Sequence, residues 1–304
     1  MSGRGREFDA ALPGVGPTLP PRLKAAVTRA RSSWWLVRRR GRADADALRI
    51  LFYHRVSDDD DPLAVAPRRF DQQMALVADG GYSVIDLSEA ADRLRTGQPL
   101  SRTIVLNFDD GYRDVGENAL PVLERHGFHA TVFVPPAAID GTVSFGWYRE
   151  PPPLLDWEEI VELDRAGTLR FEAHSLTHPN LLALDDDSAR REIGGSKSAL
   201  EARLGRAVEA FCFPAGLFGG RERRLVEAAG FRVAVSCEPG VNRPGTDLLA
   251  LRRRQIDGSD NLLDFRAKLG GGHDSPLPLR GLYRRAKYGE PKPVAASGGL
   301  TASP

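Results

Sequence analysis

From residue 48 onward, short apolar runs rich in Val, Ile and Phe alternate with longer segments whose apolar residues recur at helical spacing. That alternation is the signature of repeated β/α units around a parallel sheet. It predicts strands over 48–54, 102–108, 129–134, 169–173, 209–213, 231–236 and 248–252. Helices are predicted over 67–79, 87–95, 116–126, 157–166, 186–204, 221–229 and 260–269, with Gly80, Gly127 and Gly230 as stop signals. Seven strands suggest a barrel. The proline-rich stretch from Pro135 to Pro153 predicts a long loop over one face. Nothing between 46 and 270 reads as a linker, so one domain is expected over 46–274, between tails at 1–45 and 275–304.

Composition alters this outline little. A chain of 304 residues with 41% hydrophobic content can bury one large core. Its 42 basic and 41 acidic residues leave a net charge of +1, which gives no electrostatic reason to expect a nucleic-acid partner. The charge is uneven, however. Seven Arg and one Lys lie between Arg22 and Arg42 with no acid, interleaved with Trp34, Trp35, Leu36 and Val37. This stretch is expected to be a flexible, solvated arm, and its alternative reading is contact with an anionic membrane surface through residues 22–42. The run WWLV is too short for a signal-peptide core, and no spanning segment is seen, so the expected location is cytoplasmic, or peripheral at the inner membrane face. Two cysteines, Cys212 and Cys237, fit a reducing compartment.

The chemistry collects at the carboxyl ends of the predicted strands, where parallel β/α folds place reactive groups. Asp109 and Asp110 follow IVLNF, His174 follows LRFEA, Pro214 follows AFCF, and His54 ends LRILFYH. A DDG sequence alone is a common capped turn, and an HxxxH spacing alone arises by chance. Together they make a metal site the better reading, because adjacent carboxylates repel unless a cation lies between them. Two imidazoles and a carboxylate suit a divalent metal, most simply Zn2+, with Co2+, Ni2+ or Mn2+ as alternatives, and a second carboxylate can work on the water it activates. His54 on its own would be a strand-end histidine bonded to backbone. His126, His129 and His273 are assigned no chemistry, and His273 in GGGHDSP is expected in a flexible tail. The run Asp58 to Asp61 lacks the alternation of a calcium loop and is taken as a solvated loop.

These residues match a known pattern. NFDDGYRD looks like the TFDDG motif, HSLTH like the H-S/T-x-x-H motif and FCFPAG like the third motif of the polysaccharide deacetylases of carbohydrate esterase family 4, the NodB-homology domain. The chain resembles that family over roughly residues 48–269. ILFYHRV, with PRRFDQQMALVADGGYSVIDL, is similar to an exopolysaccharide-type subgroup with an early YH motif, whose members act on poly-N-acetylglucosamine or related polymers.

The resemblance implies a distorted (β/α)7 barrel that removes acetyl groups from an N-acetylated glycan, an exopolysaccharide, cell-wall or glycolipid precursor, with a divalent metal. It implies Asp109 as general base, Asp110, His174 and His178 as metal ligands, Ala215 as the backbone N–H donor to the oxyanion, and His54 as general acid. Pro214, Trp147 and Tyr148 are candidate sugar contacts. Two departures stand out. Cys212 replaces an arginine that steadies the base in many members, and Ala215 replaces the usual tyrosine. A non-catalytic glycan-binding barrel is therefore a second reading. A non-haem iron oxygenase with a two-histidine, one-carboxylate site is a remoter third, disfavoured by the β/α pattern.

Overall fold

A computed structural model describes residues 21–38 and 46–274. Strands β1 Arg49–Tyr53, β2 Ser83–Val84, β3 Thr103–Asp109, β4 Ala130–Val134, β5 Leu169–Ala173, β6 Ala210–Cys212, β7 Val233–Val235 and β8 Arg254–Gln255 form one parallel sheet. Its order is β7-β6-β5-β4-β3-β1-β8, and the short β2 pairs with the start of β3. The sheet curls back on itself. Leu251 bridges to Val235 of β7, and three residues on β8 pairs with Leu51 and Phe52 of β1. The result is the distorted β/α barrel expected from the strand and helix alternation.

Most predicted elements are found within a residue or two of their expected bounds. The last strand is the exception. Leu248–Ala250 is a single 3-10 turn, and the pairing falls on Arg254–Gln255 instead of 248–252. A proline-led helical turn at Pro136–Ile139 opens the predicted long loop.

Side chains alternate across a strand, and that parity positions the site. Leu51, Tyr53, Leu106, Phe108, Val132, Val134, Phe171 and Phe211 face outward into the large core beneath the helices. Ile50, Val105, Phe133, Cys212, Val235 and Leu251 face inward in a second cluster. The inward parity, carried to the strand ends, is that of His54, Asp109, His174 and Arg253.

The basic stretch departs from the flexible arm expected. Its described part, α1 Pro21–Arg38, is a helix packed along the helix Leu262–Gly270. The Trp35 ring lies so close to Gly270 and Gly272 that a Cβ there would come within 2.5 and 2.8 Å of it. His273, expected in a flexible tail, is buried and shares a 2.9 Å hydrogen bond with Ser32 Oγ. Residues 1–20, 39–45 and the expected tail at 275–304 lie outside the described residues.

Candidate metal and catalytic site

Strand β3 is apolar enough to be buried along its whole length, as suits a central parallel strand, and it ends on Asp109. The next two residues, Asp110 and Gly111, both have φ of 77°. This left-handed step turns the Asp110 carboxylate away from its neighbour's direction. Only glycine fits after it, since a Cβ on Gly111 would meet Val134 Cγ1 at 2.7 Å.

Strand β5 delivers His174, and a tight loop returns His178 beside it. Ser175 (φ 59°) accepts a 3.1 Å bond from the His178 N–H through Oγ, and His178 itself has φ 59°. Glu192 secures the loop from outside by accepting from Leu176 N, Thr177 N and Thr177 Oγ1. Four of the five non-glycine positive-φ residues described, Asp110, Ser175, His178 and Ala215, lie on these rim loops, where strain is expected of functional geometry.

The predicted ligands come together. Asp110 Oδ1 lies 3.6 Å from His174 Nε2 and 3.6 Å from His178 Nε2, and all three side chains are buried. Such spacing suits ligand atoms each about 2.1 Å from a shared zinc-like ion. His174 Nδ1 bonds the carbonyl of Cys212 at 2.8 Å, which turns Nε2 toward Asp110. Asp110 Oδ1 has no hydrogen-bond partner although buried. A buried carboxylate oxygen aimed at two imidazoles and bonded to nothing fits a divalent cation. Burial, and then the charge of Asp109, push the Asp110 carboxyl well above its ordinary range, and burial holds His174 down to about 4, so its imidazole is neutral as a ligand requires.

Asp109 sits in a different environment. Arg253 Nη1 and Nη2 each donate to one of its carboxylate oxygens at 2.7 Å, a bidentate pair with the arginine fully buried. Arg253 is itself held by Nε donating to Ser236 O at 2.9 Å and by the Phe52 ring, 4.1 Å from its guanidinium carbon. Burial works to raise the Asp109 pKa, but the Arg253 charge and hydrogen bonds, with His174 and His54, overcome it and hold the carboxyl at about 2. A guanidinium thus stands beside Asp109 although Cys212 offers none; it comes from Arg253, the residue just before β8, whose Nη2 also reaches Cys212 Sγ at 3.0 Å. Sequence reading missed Arg253. The available signal was the triplet Arg252, Arg253 and Arg254 after Leu251, of which inward parity selects the middle one.

His54 follows β1 at the same rim. Its buried Nδ1 lacks a hydrogen-bond partner, so the alternative of a backbone-bonded histidine is not supported at that atom. Burial lowers its pKa against the pull of Asp109. Arg55 beside it is structural: it pairs with Asp59, with Asp61 at 3.0 Å and with Asp114 at 2.9 Å. Part of the acidic run taken as a solvated loop is therefore tied down.

In the third motif Pro214 is buried and Ala215 turns with φ 51° directly after β6 and Phe213. From the long loop, the Trp147 ring stacks on Phe145 at 4.5 Å and meets the His178 ring edge-on at 5.3 Å. Tyr148 is placed differently, its hydroxyl donating to Asp61 Oδ2 at 2.6 Å and so joining the two loops. Trp157 stands apart on the helix Trp157–Ala166, with its N–H bonded to Asp140.

Residues 96–234, which hold both aspartates, both histidines and Ala215, match the family model for polysaccharide deacetylase. Over that stretch, a little under half of the chain, the protein is similar to the polysaccharide deacetylases, hydrolases that act on carbon–nitrogen bonds. Among relatives, YxkH of Bacillus subtilis (strain 168), described as a candidate polysaccharide deacetylase, is 26% identical over 210 residues, covering 69% of this chain and 71% of its own length. Poly-beta-1,6-N-acetyl-D-glucosamine N-deacetylase of Staphylococcus aureus (strain MRSA252) is 21% identical over 192 residues, covering 60% of this chain and 64% of its own length. The chain thus spans less than two thirds of that staphylococcal relative. In fold it is similar to the Streptococcus pyogenes deacetylase PplD, solved with acetate, at a TM-score of 0.65, 22% identity and coverage of 73% of this chain and 98% of that one. IcaB from Ammonifex degensii gives 0.64, 23%, 75% and 98%.

Proposed function

We propose that this chain is a metal-dependent deacetylase that hydrolyses the N-acetyl group of an N-acetylated sugar, with Asp109 as base, His54 as acid and Asp110, His174 and His178 as ligands. The observation that carries it is the partnerless Asp110 Oδ1, equidistant from two histidine nitrogens, beside a second aspartate clamped by Arg253. A divalent cation bound there would supply Lewis acidity to water and to the acetamide carbonyl.

The chain's own groups account for the proton traffic. Asp109 is ionised across the physiological range, and Oδ1 keeps a lone pair beyond its Arg253 bond, so it can accept the proton of the attacking water. Attack forms a C–O bond at the acetamide carbon, and the Ala215 N–H is assigned to the oxyanion. As the C–N bond breaks, the sugar amine takes a proton from His54, and the products are acetate and a free amine. Trp147, beside His178, offers an apolar face on which a sugar ring can stack.

The glycan-binding alternative rested on the altered third motif, with Cys212 and Ala215 as its departures, and Arg253 supplies beside Asp109 the cation that Cys212 does not. The poly-N-acetylglucosamine activity named for the staphylococcal relative makes β-1,6-linked N-acetylglucosamine oligomers the first substrate to try. Metal analysis of the purified chain, with acetate release from those oligomers, chitin oligomers and small N-acetylglucosamine glycosides, tests the reading. One tightly held divalent ion and metal-dependent release from one of the classes is expected. A metal-free chain, or release that chelation leaves untouched, overturns it.

A further inference from the structure

Helix α1 carries two faces of opposite purpose. The inner one docks it to the barrel through Ser32, Trp35 and ion pairs from Lys24 to Asp257 (3.3 Å) and from Arg29 to Asp264 (3.6 Å). The outer one leaves Leu23, Val27, Trp34 and Val37 exposed by 48%, 39%, 58% and 66%. At three- and four-residue spacing these fall on one line, with Ala26 and Ala30 between them. Only one other large hydrophobic residue is exposed among the described residues, Leu263, and it lies in the first turn of the neighbouring helix Leu262–Gly270. Every exposed large apolar side chain described is therefore on these two adjacent helices.

Cations flank the stripe on both sides. Helical geometry puts Arg22 and Arg29 along one edge and Lys24, Arg31 and Arg38 along the other, with Arg38 over the Trp34 ring at 4.7 Å. The sequence has no acid between Asp9 and Asp44 and eight cations there, three of them the arginines 39, 40 and 42 that follow the helix.

We propose that the outer face of α1 seats on an anionic phospholipid surface. An apolar stripe edged by Lys and Arg matches an interfacial helix, with Leu, Val and Trp in the acyl boundary and Arg22 and Arg38 among headgroup phosphates, while Lys24, Arg29 and Arg31 hold the helix to the barrel. A second copy of the chain would bring the same five cations of α1 against this face, so charge disfavours self-association. No described helix is long and apolar enough to cross a membrane, so α1 would lie on the surface. The Lys24 end of α1 meets Asp257, just past β8, and the Trp35 end meets Gly270 and Gly272. The helix thus runs along the barrel wall, and the bound surface would lie alongside the barrel with its mouth near the edge.

The test uses the full chain and sedimentation with vesicles, either phosphatidylcholine alone or with about one third phosphatidylglycerol added, where each cation raises partitioning roughly fivefold. Binding to the anionic vesicles, weak binding to the neutral ones and release at about 0.5 M salt are expected. Trp34→Glu should lower binding roughly tenfold or more, and Arg22→Gln should lower it by the single-cation factor. Because both side chains are exposed, unchanged thermal melting of each variant verifies the fold without reference to catalysis. Equal binding to both vesicle types, no binding to either, or unchanged binding by Trp34→Glu overturns the proposal. So does a dimer in sedimentation equilibrium that Trp34→Glu dissolves, since a second copy would then cover the face.

Discussion

Asp109 and Asp110 are adjacent in the chain and both buried, yet their surroundings drive them apart. Asp109 is clamped by Arg253 and held at about 2, whereas Asp110, aimed at two neutral imidazoles, is pushed well above its ordinary range. The difference teaches that neighbours set the role open to each carboxyl: one aspartate has its cation from the protein, and the other is placed to take one from outside it. The half of the rim around Asp110 is built by local loops, and the half around Asp109 by a contact across 144 residues of sequence.

The largest effect should come from the Asp110 half. His174→Ala or His178→Ala is expected to abolish stoichiometric metal binding and lower acetate release by about a thousandfold or more, measured by metal analysis beside kinetics. Next is the clamp. Arg253→Met leaves Asp109 buried without its partner, and unfolding in denaturant should show a loss of about 3–5 kcal/mol. Where that variant still folds, the same substitution should move the acidic limb of the rate profile to higher pH, because burial alone raises the Asp109 pKa. Arg253→Lys should recover part of both. If Arg253 were only a packing residue, the limb would stay where it is.

His54→Ala should keep its metal and lower kcat by about a hundredfold to ten-thousandfold, the range for a lost general acid. An unchanged kcat would remove His54 from the mechanism. The smallest effect is expected at Trp147→Ala, a rise in KM of about threefold to tenfold from a lost stacking contact worth about 0.5–1.5 kcal/mol. A fall in kcat alone would mean that Trp147 serves the metal site through His178 and not the sugar.

The two halves also differ in how far the sequence revealed them. The candidate ligands that the structure brings together were legible because each piece is local: an apolar strand running into Asp-Asp-Gly, and a strand running into two histidines four apart. Arg253 was hidden because its partner is remote and the predicted strand at 248–252 stops one residue short of it, so the parity that singles it out was not carried past Leu251. Helix α1 was missed for another reason. Its apolar stripe of Leu23, Val27, Trp34 and Val37 faces outward, while Ser32 and Trp35 make the packed face, so its pattern does not point to a core.

The most direct measurement compares Asp109→Asn with Asp110→Asn, scoring bound divalent metal and acetate release in the same preparations. Asp109→Asn is expected to hold the metal and lose turnover, and Asp110→Asn to lose both. Full turnover in Asp109→Asn, or full metal occupancy in Asp110→Asn, would contradict the division of roles between the two carboxylates.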